Sequence, residues 1–381
     1  MRILSALWLA RVPATAFVVL GTFWGAFAAS VPDIKGGLGV NDAVFGLLLL
    51  GNPIGLVAAM WLAPRVDRRL GARALQGVTA GFAVCFILPG LASTAGGPVH
   101  FALTIVLLGL FSGLADVLMN ARVSELEARH RRTLMNVSHG MFSVAYAVSA
   151  LATGFLRDAA QPPWVALGLA GVTGLVLALF LRIPVAEPEE DGQPGAGMPW
   201  GIVLLCGAIV LSAFLTEGTV ETWSALHIER TLGGDPLAGA FGPVMLGVTM
   251  AIGRIGGQGL SDRFRDETVI VVATCLTSSG AVIAALAPSP EVAYLGFGVL
   301  GLGVSVIGPL GLALVGRLVP ARHRTEAIAK VAVIGFSGFF IAPVLMGGLS
   351  ELFSLRVAYA VVGGSVLGTI ALVMALSRAS R

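Results

Sequence analysis

The sequence predicts an all-α polytopic membrane protein: twelve transmembrane helices in two pseudo-symmetric six-helix bundles, with both termini cytoplasmic. Three observations predict it. Of 381 residues, 56% are apolar and only 12% are charged, and the mean hydropathy is +0.90. A soluble domain carries roughly 25% charged residues, so this surface is not built for water and lipid must be the solvent. Arginine is concentrated on one side of the candidate spans, and short matches recur at a nearly constant offset of half the chain. The same composition excludes a disordered chain, which would be poor in apolar residues. A net charge of +3 without a long Lys/Arg run excludes a nucleic-acid surface.

The expected spans, in chain order, are 10–31, 42–63, 74–95, 99–121, 134–156, 163–183, 199–222, 238–260, 268–287, 291–318, 327–349 and 356–377. Each offers about 20 mostly apolar residues between clusters of charge, Pro or Gly. With the amino terminus inside, the inner loops hold Arg65, Arg68, Arg69, Arg73, Arg129, Arg131, Arg132, Arg263, Arg265, Arg322 and Arg324. The outer loops hold only Lys35, Arg157, Arg230 and Arg356. That asymmetry is the positive-inside rule, and it sets the orientation. The first span, with Met1-Arg2 before it and Ala26-Phe27-Ala28 within it, also has the look of a signal peptide. Its removal would break the repeat described below, so it is read as a span. A polar, Pro/Gly-rich stretch beginning at Pro184 bisects the chain. It divides an amino-terminal bundle (1–183) from a carboxyl-terminal bundle (199–381), with a cytoplasmic linker at 184–198.

Cys85, Cys206 and Cys275 lie in apolar runs without metal-ligand spacing or a disulfide framework, and are read as buried spectators. No P-loop or dinucleotide fingerprint follows a strand, so neither ATP-driven work nor enzyme activity is expected, and no metal or cofactor. Two Lys against 22 Arg, with abundant Ala and Gly, point to a GC-rich bacterial source and a cytoplasmic (inner) membrane.

Internal repetition decides the architecture. Ala128-Arg129-His130-Arg131 recurs 193 positions later as Ala321-Arg322-His323-Arg324. Asp67-Arg68 recurs at an offset of 195 as Asp262-Arg263, and Leu108-Gly109-Leu110 at 192 as Leu300-Gly301-Leu302. Each match sets loop or span n against n+6. Two halves related by an axis along the membrane normal form the parallel-repeat arrangement of a transporter.

On these residues the chain resembles the major facilitator superfamily, whose inner loops carry a Gly-x-x-x-Asp-Arg-x-Gly-Arg-type motif. The second copy here, Gln258 to Phe264, has Gln258 in place of the leading Gly and Arg265 in place of the second. The first copy, Ala63 to Arg73, lacks the leading Gly and carries an extra residue before Gly71. The resemblance implies an inner gate at Asp67, Arg68, Asp262 and Arg263, in which an Asp pairs with Arg across the two halves. A narrower resemblance is to the fucose permease-like branch. It rests on Asp116-Val117-Leu118-Met119-Asn120 and on Glu217-Gly218-Thr219-Val220-Glu221-Thr222-Trp223, with Gly253-Arg254 and Ser138-His139-Gly140 as weaker support. It implies uptake of a sugar-like solute. The acid that fucose permeases carry late in their first span has no counterpart, since Ala28 or a neighbour stands there.

Charges within the spans are the candidate chemistry, because each costs at least about 2.5–3.5 kcal/mol in hydrocarbon and needs a partner or a wet cavity. Asp116 and Asn120 are one helical turn apart on one face. By helical rise Asp116 lies roughly 9 Å, and His139 about 10 Å, from the inner surface, so a carboxylate–imidazole pair is expected. Glu217 and Glu221 share a face too, with Glu221 nearer the outer end. Arg254, about 12 Å deep, needs a carboxylate, a carbonyl or an anionic substrate. Glu217, Asp116 and His139 are therefore candidates for proton coupling. Asn120, Asn136, Arg254, Trp223 and Glu221 are candidates for substrate binding. Static helix-stitching remains the alternative for Asp116 and His139, and an interface belt for Trp223. Lys330 is expected to snorkel.

The reading that results is a monomeric, proton-coupled secondary transporter of a small polar solute, with the bilayer and a coupling proton as its other partners. An exporter of hydrophobic drugs or metabolites by proton antiport is the alternative on the same fold. A non-transporting membrane sensor or assembly subunit is the alternative of another class. Hydrogen-bonding groups at mid-depth favour the first, and a pathway lined by Phe and Met favours the second.

Overall fold

In the computed structural model the described residues are 2–183, 198–261, 263–320 and 323–379, and every regular element among them is helical. Most of the expected linker, together with Asp262 and Arg322, lies outside them. The helices are α1 (Arg2–Leu38), α2 (Asp42–Leu49), α3 (Gly51–Leu70), α4 (Ala74–Cys85), α5 (Leu88–Leu91), α6 (Gly97–His130), α7 (Met135–Asp158) and α8 (Pro163–Ala178). After the linker come α9 (Trp200–Leu226), α10 (Pro236–Ser261), α11 (Asp266–Leu286), α12 (Pro290–Leu318), α13 (Arg324–Leu352), α14 (Leu355–Val366) and α15 (Gly368–Ala379). They fall within or overrun the apolar stretches marked by the sequence. Nine helical stretches among the described residues are long and apolar enough to cross a membrane, and one of these, Asp42–His130, runs through α2 to α6. Large apolar side chains such as Val99, Leu103, Phe155, Phe180 and Leu286 are exposed on the outside, as a lipid-facing surface requires.

The breaks have local causes. Pro53 has no N–H to give to the turn before it, and the chain interrupts its helix at Leu50 between α2 and α3. The turn between α3 and α4 uses Gly71 at φ +52°, and α6 starts on Gly97 at φ +79°, both conformations that favour glycine. A π-helical turn over His227–Thr231 ends the rod begun by α9. By contrast α12 and α13 run on through Pro309 and Pro343, and a lost hydrogen bond there is tolerated inside a packed bundle.

Successive helices run antiparallel, and side-chain contacts tie together the ends that share a face. On the face of the amino terminus (the near face) Arg132 donates to Ser5, Arg182 to Gln76, and Arg122 pairs with Asp67. On the far face Arg157 meets Asp33, and Arg356 donates to the Ala285 carbonyl. The α1–α8 helices pack chiefly on one another around Phe23, Phe82 and Phe86, while α9 packs on α12 and α13 and α11 on α12. The two groups meet along α7 with α10 and along α2 with α13.

The α2–α13 contact is unusually close. A Cβ on Gly46 would collide with the Pro343 carbonyl, and one on Gly347 with the Asp42 carbonyl. Small residues let helix backbones touch where the apolar effect gives no drive, as in lipid. Below that contact α13 hardly touches α3, so the two groups part toward the near face.

Candidate functional site

The parting encloses a central cavity of about 480 Å³. Regular helical spacing builds its walls. On α6, Ser112, Asp116 and Asn120 stand one turn apart in a single stripe, and on α9 Phe214, Glu217, Gly218 and Glu221 do the same. From α7 come His139 and Phe142, from α10 Arg254, and from the α2–α3 break Asn52. Around this polar band the walls are largely apolar and aromatic: Phe17, Trp24 and Phe27 from α1, and Phe336 and Phe339 from α13. Mostly apolar walls with a few convergent polar groups are the usual make-up of a small-molecule site.

The charges in the cavity are unevenly matched. Arg254 Nη2 donates to Glu217 Oε1 at 3.0 Å, and its Nη1 donates to Ser143 Oγ of α7 at 2.8 Å. Both members of the pair are buried, with about a tenth of each side chain exposed, so each needs the other to offset lost hydration. Asp116 accepts a 3.1 Å hydrogen bond at Oδ1 from Asn120 Nδ2, which also bonds the Asp116 carbonyl at 2.8 Å. No cation pairs with Asp116 among the described residues, and Glu221 has neither an ion-pair nor a hydrogen-bond partner among them. The expected Asp116–His139 pair is not formed. The His139 ring instead packs edge-on against Phe17, with centroids 4.7 Å apart. Equal depth on neighbouring helices did not bring the two side chains to the same azimuth.

Other expected site residues are separated from this cavity. Trp223 is fully buried and packs T-shaped on Phe45 at 6.0 Å, so it is neither a cavity wall nor an interface-belt residue. Its neighbour Thr222 lines the cavity, and Trp223, one residue or about 100° further round the helix, turns away. Asn136, half-buried near the start of α7, lies outside the lining. Glu221, by contrast, a substrate-binding candidate nearer the outer end of its helix, does line the cavity. Cys275, expected buried, is exposed on α11. Lys330 lies over the Trp200 ring at 4.9 Å and pairs with Glu326.

At the near face Asp67 does not reach across the halves. It pairs at 2.5 Å with Arg122, a nearly wholly buried side chain of α6 that also bonds Glu125 at 2.8 Å. Arg68 and Arg263 are exposed, and Asp262 lies outside the described residues. Arg317 pairs with Asp266, again within one group of helices. Among the described residues no ion pair joins α1–α8 to α9–α15 at this face.

The far face is different. Buried Arg157 of α7 gives 2.7 Å hydrogen bonds from Nε and Nη2 to the two oxygens of Asp33. It donates to Glu229, beyond α9, at 2.6 and 3.0 Å. A second network centres on buried Asp42, which accepts from Arg230 at 2.8 and 2.6 Å, pairs with Lys35 at 2.9 Å, and accepts from Ser350 of α13. The Asp42 N–H donates to Glu351 at 3.0 Å. Both networks cross between the helix groups, and the Phe45–Trp223 contact lies beneath them. The cavity is thus closed toward the far face and parts toward the near one. The sequence had marked Arg157 and Arg230 only as outer-loop charges. Their partners are 124, 72 and 188 positions away, and no local spacing signals such pairs.

Comparisons with known proteins agree with this fold. The family profile described as Major Facilitator Superfamily matches residues 14–267 and 205–381. An uncharacterized MFS-type transporter of Yersinia pestis is 29% identical over 95% of this chain and 94% of its own length. A bacterial homolog of the human lysosomal transporter Spinster, in an inward-facing and occupied conformation, superposes with TM-score 0.73 at 15% identity, covering 97% of this chain and 95% of that one. A D-xylose-proton symporter gives TM-score 0.71 at 15% identity, over 95% and 96%. With the profile reaching across nearly the whole sequence and a bacterial transporter aligned end to end, the chain belongs to the Major Facilitator Superfamily and is a multi-pass transporter of the bacterial inner membrane.

Proposed function

We propose that this protein is a proton-coupled secondary transporter that works by alternating access. The near face is read as cytoplasmic, and the bundles 1–183 and 199–381 are read as rocking about the central cavity. The observation that carries this reading is a cavity holding Asp116, Glu217, Glu221 and Arg254 between two helix groups that are clamped at one face and parted at the other. Carboxylates held in such a place must be neutralised before the surrounding helices can close over them, and a proton is the smallest neutralising charge. Glu217 and Asp116 are assigned the coupling role, with Arg254 as the charge that balances Glu217 and touches Ser143 across the divide. The aromatic walls favour a cargo with an apolar body, as in the exporter reading. The band of Asn52, Asn120 and Thr222 requires that the cargo also carry polar groups. The symport named for the xylose transporter similar to this chain supports proton coupling on this fold.

The test is internal pH in proteoliposomes challenged with candidate solutes. Wild type is expected to couple solute to proton movement, and Glu217→Gln and Asp116→Asn to abolish the coupling. Proton flux indifferent to both substitutions would reject it.

A further inference from the structure

The charge inventory of the cavity points to the chemical class of its cargo. Three carboxylates line it, Asp116, Glu217 and Glu221, against one guanidinium, Arg254, which is already bonded to Glu217. The remaining titratable side chain in the lining is His139, whose ring rests on Phe17 and makes no hydrogen bond to either unpaired acid. Tyr146, wholly buried with a hydroxyl that has no hydrogen-bond partner among the described residues, lies within electrostatic reach of Glu217 and Glu221 and adds no positive charge. Asp116 therefore has no cation beside it, and Glu221 shares the field of an Arg254 that is already bonded to Glu217, in a chamber walled largely by apolar and aromatic side chains. A carboxyl group in such surroundings either holds a proton or faces something positive. A neutral sugar leaves these acids no role but to hold protons, and an organic anion is repelled whenever they ionise.

We propose that the cargo is an amphipathic organic cation, with its positive centre drawn to the excess carboxyl groups of the lining and its apolar body against the aromatic walls. The aromatic side chains of the lining add attraction for a cation that a neutral solute lacks. Asp116, already assigned a coupling role, is joined by Glu221 as a place where protons reside when the cation is absent, while Glu217 stays bonded to Arg254. Cation entry displaces a proton from a carboxyl group into the water of the open face, and reprotonation releases the cation. Cargo and proton thus exclude one another, which is the exchange relation of an antiporter. This inference rests on the transporter reading above, and it favours an exporter of amphipathic cargo over an importer of a small polar solute.

The full-length protein is tested in detergent with tetraphenylphosphonium and with tetraphenylborate, an anion of matching size and shape. Saturable binding of the cation and not of the anion is expected, with release of protons into weak buffer and weaker binding as pH is lowered. Glu221→Gln and Asp116→Asn should each weaken cation binding about tenfold or more. Glu221→Asp, which keeps the charge, should retain most of it, and unchanged melting temperatures would show that all three variants are folded. Equal binding of the anion, or cation binding untouched by both charge-removing substitutions, overturns the proposal. The two readings fail separately. If a neutral solute such as D-xylose drives proton flux in proteoliposomes while the cation does not bind, the cargo class falls and the transporter stands. If the cation binds through these acids but no solute moves protons, the reverse holds.

Discussion

Arg254 and Glu217 show how much one contact carries in a membrane protein. Each is buried, and each is the other's main compensation. Arg254→Met would strand Glu217, at a cost of about 3–5 kcal/mol if the acid stays ionised. The double variant Arg254→Met/Glu217→Gln removes both charges and should regain most of that loss. Thermal unfolding of wild type and these two variants in one detergent checks it, and a double variant no better than the single would mean the pair contributes little. Arg122 makes the parallel case at the near face, where it anchors Asp67 and Glu125. Arg122→Gln should destabilise by about 2–3 kcal/mol through the acid left without its partner. At this scale the sequence was a good guide along each helix and a poor one between helices. Spacing alone set Asp116 and Asn120 one turn apart on one face, and the structure joins them there by a hydrogen bond. Pairing Asp116 with His139 from equal depth failed, because depth says nothing about rotation around the helix axis. Trp223 failed for the same reason, since one step along α9 separates the cavity face from the packed face.

Elements carry the gating. The closed far face depends on α2 lying on α13 through Gly46 and Gly347, and on the Arg157 and Asp42 networks above that contact. Gly46→Leu should force α2 away from α13, and Arg157→Gln should leave Asp33 and Glu229 without their shared cation. Either change should favour the far-open form. In a cysteine-free background, Leu49→Cys faces the cavity, and a membrane-impermeant maleimide should label it from the near side in the parent. With Gly46→Leu or Arg157→Gln added, labelling from the far side should rise severalfold, in keeping with a loss of about 1–2 kcal/mol from the far-closed state. No rise in either variant would show that these contacts do not hold the gate. Proline was an uneven signal for such bends. Pro53 coincides with a real interruption, whereas Pro309 and Pro343 sit in helices that continue past them. The missing N–H is the same at all three, and what differs is the surrounding packing.

For the molecule as a whole, the orientation is a prediction with a simple test. A carboxyl-terminal fluorescent-protein fusion should glow and a phosphatase fusion at the same point should be inactive, because each reporter matures on only one side of the inner membrane; the opposite pattern would turn the cavity to face outside. Hydropathy and Arg placement made this expectation possible, since oil excludes charge whatever the detailed packing. For that reason apolar spans, helix class, family and the presence of a few costly acids could all be read from the one-dimensional string. The networks around Arg157 and Asp42, the intrabundle pairing of Asp67 with Arg122, and the lack of an ion pair at Asp116 and Glu221 among the described residues could not. Those depend on how each rod is turned about its own axis and on which distant rod it meets, quantities set by the simultaneous packing of all the helices and written in no short stretch of sequence.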